Sequence, residues 1–312
     1  MSDGSRTMTD FDQLGRRARS RATPRRCAVA GAADATALEA VFHAQRRGWA
    51  TPVLAGEPAG IRALLGTLGF ADEPHTIVAC PATGNPAATA VELVRAGRAD
   101  FVLKGRLATR DLLRPVLDRT SGLNDHGFVT HLGLMRLAGY HKLLAMSDSA
   151  VIPHPTLADK HRIVAVCVAA LRRLGLRRPV VGVLCAVETV SERMPETVHA
   201  DQLRRAGERG EFGDAVVVGP ISYDLATSRE SAVTKGYDAP HAGDVDMLLV
   251  PEMVTGNVMS KIWNADPANL LAGCLVGTRA PVALTSRSAP LAEKLHSILL
   301  CSLLSEPTPE VR

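Results

Sequence analysis

Aromatic side chains are scarce in this sequence of 312 residues: two Trp, three Tyr and six Phe make up 4% of it. A core built around stacked rings is thereby excluded. It has to come from Ala, Val, Leu and Ile, which suits a buried sheet covered by Ala-rich helices, and a hydrophobic share of 46% supplies enough of them. No apolar run reaches the ~18 residues that a membrane span needs, so no membrane partner is expected. The six cysteines (Cys27, Cys80, Cys167, Cys185, Cys274 and Cys301) form no C-x-x-C pair, which argues against both a zinc site and a disulfide framework. Most sit in apolar stretches such as Val183-Leu184-Cys185-Ala186 and read as small buried hydrophobes in a reducing, cytoplasmic compartment. Several catalytic signatures are missing too. Without Gly-x-Ser-x-Gly there is no hydrolase elbow. Without G-x-G-x-x-G after the first strand, or G-x-x-x-x-G-K-[ST] anywhere, there is neither a dinucleotide fingerprint nor a Walker loop. No spacing reads as Ser-His-Asp or Cys-His. Basic residues are not interleaved with aromatics, so no nucleic-acid partner is expected.

What is present begins with charge. The formal net charge is +4, and residues 1–26 carry all of it, with seven Arg against three Asp. The body is formally neutral. An Arg/Ser/Thr-rich leader without an apolar segment reads as a disordered basic arm over 1–24, not as a secretory signal. Beyond it, apolar runs alternate with helical patterns almost to the end. Strands are expected at 27–30, 52–55, 76–80, 101–103, 128–137, 142–146, 180–187, 215–218, 247–250, 271–276 and 282–285. Many are short and continuously apolar, as parallel strands buried on both faces are. Helices are expected at 36–47, with Asp34 as cap and Gly48 as stop, at 157–174 before Gly175, and at 289–304. Strand and helix in repeated alternation specify an α/β fold with a mostly parallel sheet. The rhythm breaks where the runs 128–137 and 142–146 join through Ala138-Gly139-Tyr140-His141, a hairpin-like and therefore antiparallel connection. The length suits two domains: 25–124 with 284–312, and 125–283.

Ligands of open α/β sheets bind beyond the carboxyl ends of strands, so the polar residues after each strand are the candidates. After 101–103 come Lys104, Gly105, Arg106, Thr109 and, further on, Arg114. The glycine permits close backbone approach, Thr109 can cap the next helix, and the cations add to an anion-attracting helix start. After 282–285 come Ser286, a hydroxyl at a strand end, and Arg287, whose fork can clamp an oxyanion. Gly243-Asp244-Val245-Asp246 can bind a metal, act as a base or simply turn the chain into a strand; Gly256-Asn257 can open a helix that holds an anion. Asp148, in Ser147-Asp148-Ser149, can cap a helix or face a cleft, and His131, alone among apolar residues, is either a sheet residue or a ligand.

Four strings, in this order and spacing, resemble the phosphate acetyl/butyryltransferase family: Val102-Leu103-Lys104-Gly105 with Thr109, Asp111, Leu113 and Arg114-Pro115; Lys235-Gly236 through Gly243-Asp244-Val245-Asp246 to Pro251; Gly256-Asn257-Val258; and Leu284-Thr285-Ser286-Arg287. The resemblance covers about 27–301. It implies two α/β domains of the isocitrate/isopropylmalate dehydrogenase-like fold with the active site in the cleft between them, a homodimer, and the reaction acyl-CoA + phosphate ⇌ acyl phosphate + CoA on a short acyl chain. It implies that Arg287 binds phosphate or the acyl carbonyl, that Ser286 steadies the departing thiolate, that Arg114 binds an anion, and that Glu293, seven positions after Ser286, is the base. Lys104, Gly105, Thr109, His131, Asp246 and Asn257 complete the expected substrate-binding set. No cofactor is implied; coenzyme A is substrate or product. Two departures stand out: Ser288-Ala289-Pro290 replaces the Ala-Asp that butyryl-type members have after Ser-Arg, and Ala108 stands where acetyl-type members have Ser. Two alternatives stay open. One is a metal- and nicotinamide-dependent dehydrogenase of the same fold family, with 243–246 as metal ligands. The other is a non-catalytic acyl-CoA sensor using the arm to reach nucleic acid.

Overall fold

The computed structural model describes residues 7–80, 84–286 and 289–305. The chain divides into two compact units: a first of Phe11–Val129 with Leu271–Arg312, and a second of Thr130–Leu270 with Met1–Asp10.

The first unit runs through α1 (Phe11–Arg19), β1 (Arg25–Ala30), α2 (Ala35–Arg46), β2 (Ala50–Gly56), α3 (Pro58–Leu68), β3 (Thr76–Ala79), α4 (Pro86–Arg95), β4 (Phe101–Lys104) and α5 (Thr109–Leu117). The second holds β5 (Thr130–Arg136), β6 (Leu143–Ser147), α6 (Leu157–Arg173), β7 (Val180–Leu184), α7 (Pro195–Glu208), β8 (Val216–Ile221), α8 (Tyr223–Thr227), α9 (Arg229–Thr234), β9 (Met247–Leu249) and α10 (Met253–Ala265). The chain then returns to the first unit with β10 (Leu270–Val276), β11 (Val282–Ala283) and α11 (Leu291–Leu304).

Strand order in the first unit is β3-β2-β1-β4-β11-β10, with β10–β11 antiparallel and the other pairs parallel. In the second it is β5-β6-β9-β7-β8, with β5–β6 antiparallel and the rest parallel. The hairpin expected around 138–141 is therefore present. The central strands are buried along their length, as their unbroken apolar runs require: every residue of β4, β6 and β7 is buried. Helix ends follow local chemistry. Asp34 Oδ1 accepts from Ala37 N at 3.0 Å to start α2, and Gly48, at φ +72°, ends it. Thr156 and Asp159 close a reciprocal capping box at the start of α6.

Two expectations are corrected. The described part of the basic leader is not a disordered arm, because 11–19 form α1. Phe11, Leu14, Gly15 and Ala18 recur at helical spacing on its buried face. Phe11 stacks on His296 of α11 at 4.2 Å, and Trp49 Nε1 donates to Gly15 O at 3.1 Å. A Cβ at Gly15 would lie 2.7 Å from the Trp49 ring, so the small residue is what lets the helix dock. The arginines occupy the opposite, solvated face. The second correction concerns 271–283, assigned by sequence to the second domain. Strand β10 instead pairs with β11 (Cys274↔Ala283, Leu275↔Val282) within the first unit. The turn between them is drawn in by Gly277, at φ +86°, where a Cβ would lie 2.4 Å from Phe128 O.

At the amino end of β9 sits a closed charge cluster. Lys142 Nζ lies 2.7 Å from Asp246 Oδ1 and 2.8 Å from Asp244 Oδ1, and donates to Asp244 O at 2.9 Å. The second oxygen of Asp246 accepts from Val180 N at 2.8 Å. Burial pushes the Asp246 carboxyl up, and Lys142 opposes that push. Removing the cation alone leaves a buried carboxylate without its partner. Lys142→Ala is therefore expected to lose about 3–5 kcal/mol of stability at pH 7. Urea unfolding checks this, and an unchanged midpoint would contradict it.

Candidate active site

In the first unit, parallel pairing of β4 with β11 (Val282↔Val102, Ala283↔Leu103) places the ends of two strands 180 residues apart in sequence at one edge of the sheet. Beyond them lie the Lys104 loop and the Ser286 loop; the end of β1 adjoins on the other side of β4.

The Lys104 loop differs from the expected phosphate cradle. The N–H groups of Gly105, Arg106 and Leu107 donate to Ala30 O, Gly31 O and Gly105 O, each at 2.9 Å. They are spent holding the turn against β1. A Cβ at Gly105 would lie 2.4 Å from Gly31 O, so the close approach of this turn to the end of β1 requires a glycine. Lys104 is buried at the strand end. Helix α5 then starts at Thr109. The cap position belongs to Ala108, which offers no side-chain acceptor; Asp111 N donates to Ala108 O at 3.0 Å, which leaves the N–H groups of Thr109 and Arg110 for a ligand or solvent, and Thr109 is the first helical residue rather than the cap. Arg106, Arg110 and Arg114 are exposed and, among the described residues, make no ion pair. A cavity of about 580 Å³ lies here, between residues 33–35 with Leu64 and residues 105–108.

On the β11 side Ser286 is exposed, while Arg287 lies outside the described residues. Thr285 is 4% exposed and, among the described residues, its Oγ1 has no hydrogen-bond partner; nor does the buried Oε2 of Glu293, in the first turn of α11. Burial pushes the Glu293 carboxyl above its ordinary range, with the Lys294 charge opposing. These two groups lie eight residues apart, and each costs about 1–3 kcal/mol when left unmet.

In the second unit the antiparallel β5–β6 pair sets the start of β5 beside the end of β6. Ser149 Oγ and His131 Nδ1 are 2.9 Å apart, and Asn257 Nδ2 donates to Ser149 O at 3.2 Å. His131 and Asn257 thus come together, and a Cβ at Gly256 would lie 2.7 Å from Asp148 O. Asp148 is committed structurally: it accepts from Thr130 Oγ1 (2.7 Å), His131 N (3.1 Å), Ala150 N (2.7 Å) and Val151 N (2.8 Å). Gly256-Asn257 lie inside α10, not at its start. Asp246 does not join this group. It precedes β9, at the amino edge of the parallel strands, with both oxygens taken by Lys142 and Val180 N; its expected role in substrate binding gives way to a structural one. The same pairing occupies the carboxylates proposed as metal ligands.

Sequence reading missed a further group at the carboxyl end of β7. Buried Lys160 on α6 reaches His199 Nδ1 of α7 at 3.3 Å, and burial pushes both pKa values down, with Cys185, Glu196 and Glu252 raising that of Lys160. The two residues lie 39 positions apart on helices that read simply as amphipathic. Lys294 was missed for the same reason.

The model of a family described as phosphate acetyl/butaryl transferase matches residues 76–302. A phosphate butyryltransferase of Clostridium acetobutylicum is 36% identical over 281 residues, covering 90% of this chain and 93% of its own. A phosphate acetyltransferase of Rhizobium meliloti is 33% identical, covering 94% and 92%. Among solved structures, a branched-chain phosphotransacylase from Enterococcus faecalis superposes with a TM-score of 0.79 at 28% identity, covering 90% of this chain and 98% of that one. A 4-hydroxythreonine-4-phosphate dehydrogenase from Klebsiella pneumoniae shares the fold at 13% identity and a TM-score of 0.58. The chain belongs to the phosphate acetyl/butyryltransferase family.

Proposed function

We propose that this chain is a phosphate acyltransferase that exchanges the coenzyme A of a short acyl-CoA for inorganic phosphate. Its relatives' names denote that chemistry. The observation that carries it in the chain itself is the pair of unmet buried groups, Thr285 Oγ1 and Glu293 Oε2, beside the Ser286 loop at the shared β4–β11 edge. A fold gains nothing from stranding polar atoms there; a polar ligand does.

Phosphate is a well-hydrated anion and has to be stripped of water and aimed at the thioester carbonyl. Arg114, with the uncapped start of α5, supplies charge for this, and Arg287 has the fork geometry to clamp phosphate or the carbonyl oxygen. A phosphate oxygen attacks the carbonyl carbon within the ternary complex, and Glu293 takes the phosphate proton. Arg287 holds the oxyanion. The C–S bond then breaks, Ser286 donates to the departing thiolate, and the proton passes to sulfur to give free coenzyme A and acyl phosphate. The thioester is already activated, so these steps need no cofactor. In the second unit the proposed substrate contacts are His131 and Asn257.

The reducing cytoplasm fits six free cysteines, five of them buried, and among the described residues no helix is long and apolar enough to cross a membrane. A homodimer is supported by α10, which leaves Val254, Val258 and Ile262 exposed at 55%, 49% and 63% in one i, i+4, i+8 stripe. The helix carries one charged residue, Lys261. A second copy of the same stripe is its natural complement.

Thiol release from acetyl-, propionyl- or butyryl-CoA is expected only when phosphate or arsenate is present; release independent of either would refute the reaction. Glu293→Gln should lower kcat about 10²–10⁴-fold. A base works only when deprotonated, and burial raises this carboxyl, so the acid limb of the wild-type profile should sit above the ordinary Glu range. Comparison with the Gln variant at equal phosphate ionisation isolates that limb. The same shift has a stability cost. A folded pKa above the unfolded one stabilises below the unfolded pKa, and that contribution is lost as pH rises through the folded pKa. Glu293→Gln should therefore melt higher than wild type at pH 8, with the advantage gone below pH 4. Ile262→Glu should shift light-scattering mass from dimer to monomer.

A further inference from the structure

Lys294 occupies the first turn of α11 and is 2% exposed. Among the described residues its one ion-pair contact is with Asp34, Nζ and Oδ2 being 3.9 Å apart. That is beyond hydrogen-bond range, so the carboxylate is a loose partner for the ammonium. Lys142 gives an internal contrast. It is equally enclosed, at 5% exposed, yet holds three oxygens at 2.7–2.9 Å. The fold thus satisfies one buried lysine completely and leaves the other with a loose contact. An ammonium taken out of water loses several kcal/mol of hydration, and a carboxylate 3.9 Å away repays little of it.

The location says what would complete Lys294. Asp34 lines the cavity of about 580 Å³ whose far wall is formed by residues 105–108, leading into the uncapped start of α5. Its other oxygen, Oδ1, is fixed as the cap of α2. Lys294 therefore stands behind Asp34, which lines a space that offers helix N–H groups and exposed arginine side chains, and it follows Glu293 in the first turn of α11. A small, multiply charged oxyanion fits this set. A planar carboxylate would use fewer of the donors.

We propose that Lys294 binds the phosphate substrate, and that Asp34 holds the ammonium in the empty enzyme until a phosphate oxygen displaces it. This rests on the acyltransferase reading above and adds to it a phosphate ligand and a built-in competitor. The competitor gives the inference a distinctive sign. Removing the charge of Asp34 should tighten phosphate binding, whereas removing the charge of Lys294 should weaken it. Asp34→Asn keeps a good helix cap, so α2 is retained.

The experiment measures thiol release by the full chain at saturating butyryl-CoA with phosphate varied, and the reverse reaction with acyl phosphate and coenzyme A varied in turn. Lys294→Gln should raise KM for phosphate about ten- to hundredfold, the loss of one charge-assisted hydrogen bond. KM for acyl phosphate should rise with it, and KM for acyl-CoA and coenzyme A should stay within twofold. Asp34→Asn should lower KM for phosphate, and Lys294→Arg should restore part of the loss. An unchanged phosphate KM in Lys294→Gln, a shift in coenzyme A KM instead, or a raised phosphate KM in Asp34→Asn would overturn the proposal. Should Lys294→Gln not fold, the direction of the Asp34→Asn change decides. Should the wild type release no thiol at all, the acyltransferase reading fails by itself. Calorimetric titration with inorganic phosphate then tests Lys294 separately: binding to wild type that is lost in Lys294→Gln sustains it, and equal or absent binding to wild type sinks it.

Discussion

The parallel pairing of β4 with β11 is the constraint on which the rest of the first unit depends. It is short, two residues of register, yet it alone brings the loop after Lys104 and the loop after Thr285 to the same edge. Strand β11 is held there from the other side by its antiparallel pairing with β10, and α11 follows directly, so the first turn that carries Glu293 and Lys294 is positioned by the same strand. Parallel strands send all their carboxyl ends in one direction, which is why residues from chain positions near 34, 105 and 290 can share one neighbourhood.

The two edges of the parallel strands are built to opposite specifications. At the amino edge of β9, every charge has its complement: Lys142, Asp244, Asp246 and Val180 N–H form a closed set. At the carboxyl edge of β4 and β11, Thr285 Oγ1 and Glu293 Oε2 are enclosed without partners among the described residues, and the Lys294 ammonium has only a loose contact with Asp34. Folding energy is maximised in the first arrangement and given up in the second. A local deficit of that kind is characteristic of a site whose partners arrive from solution.

Most strands and the main helices were legible because their signals are local: short apolar runs, Asp34 and Gly48 around α2, Gly175 after α6. The Ser286 and Lys104 loops were legible because strand ends can be read from sequence. Helix α1 was not, since the arginines on its solvated face dominate composition while four small or apolar positions carry the docking. Asp246 was misread for a different reason. A Gly-Asp-x-Asp string looks the same at either end of a strand, and only strand direction together with Lys142 assigns it to the structural edge. Gly105 was read as making room for a ligand, whereas the atoms that crowd it belong to Ala30 and Gly31. Lys294 and Lys160 lay hidden in amphipathic helices, where a lysine's burial is decided by elements far away in the chain.

The docking of α1 has an implication for biosynthesis. Its buried face meets α11 through Phe11 and His296, and Arg21 reaches the carbonyls of Ser302 and Leu303 from just beyond the helix. These partners are separated by some 280 residues, with the whole of Thr130–Leu270 translated in between. On the ribosome the second unit can therefore complete its strands first, while β1–β4 wait with one flank uncovered until β11 and α11 emerge. A chaperone that shields nascent apolar surface would meet that waiting half-sheet, and Trp49 with it, for most of the time the chain takes to be made.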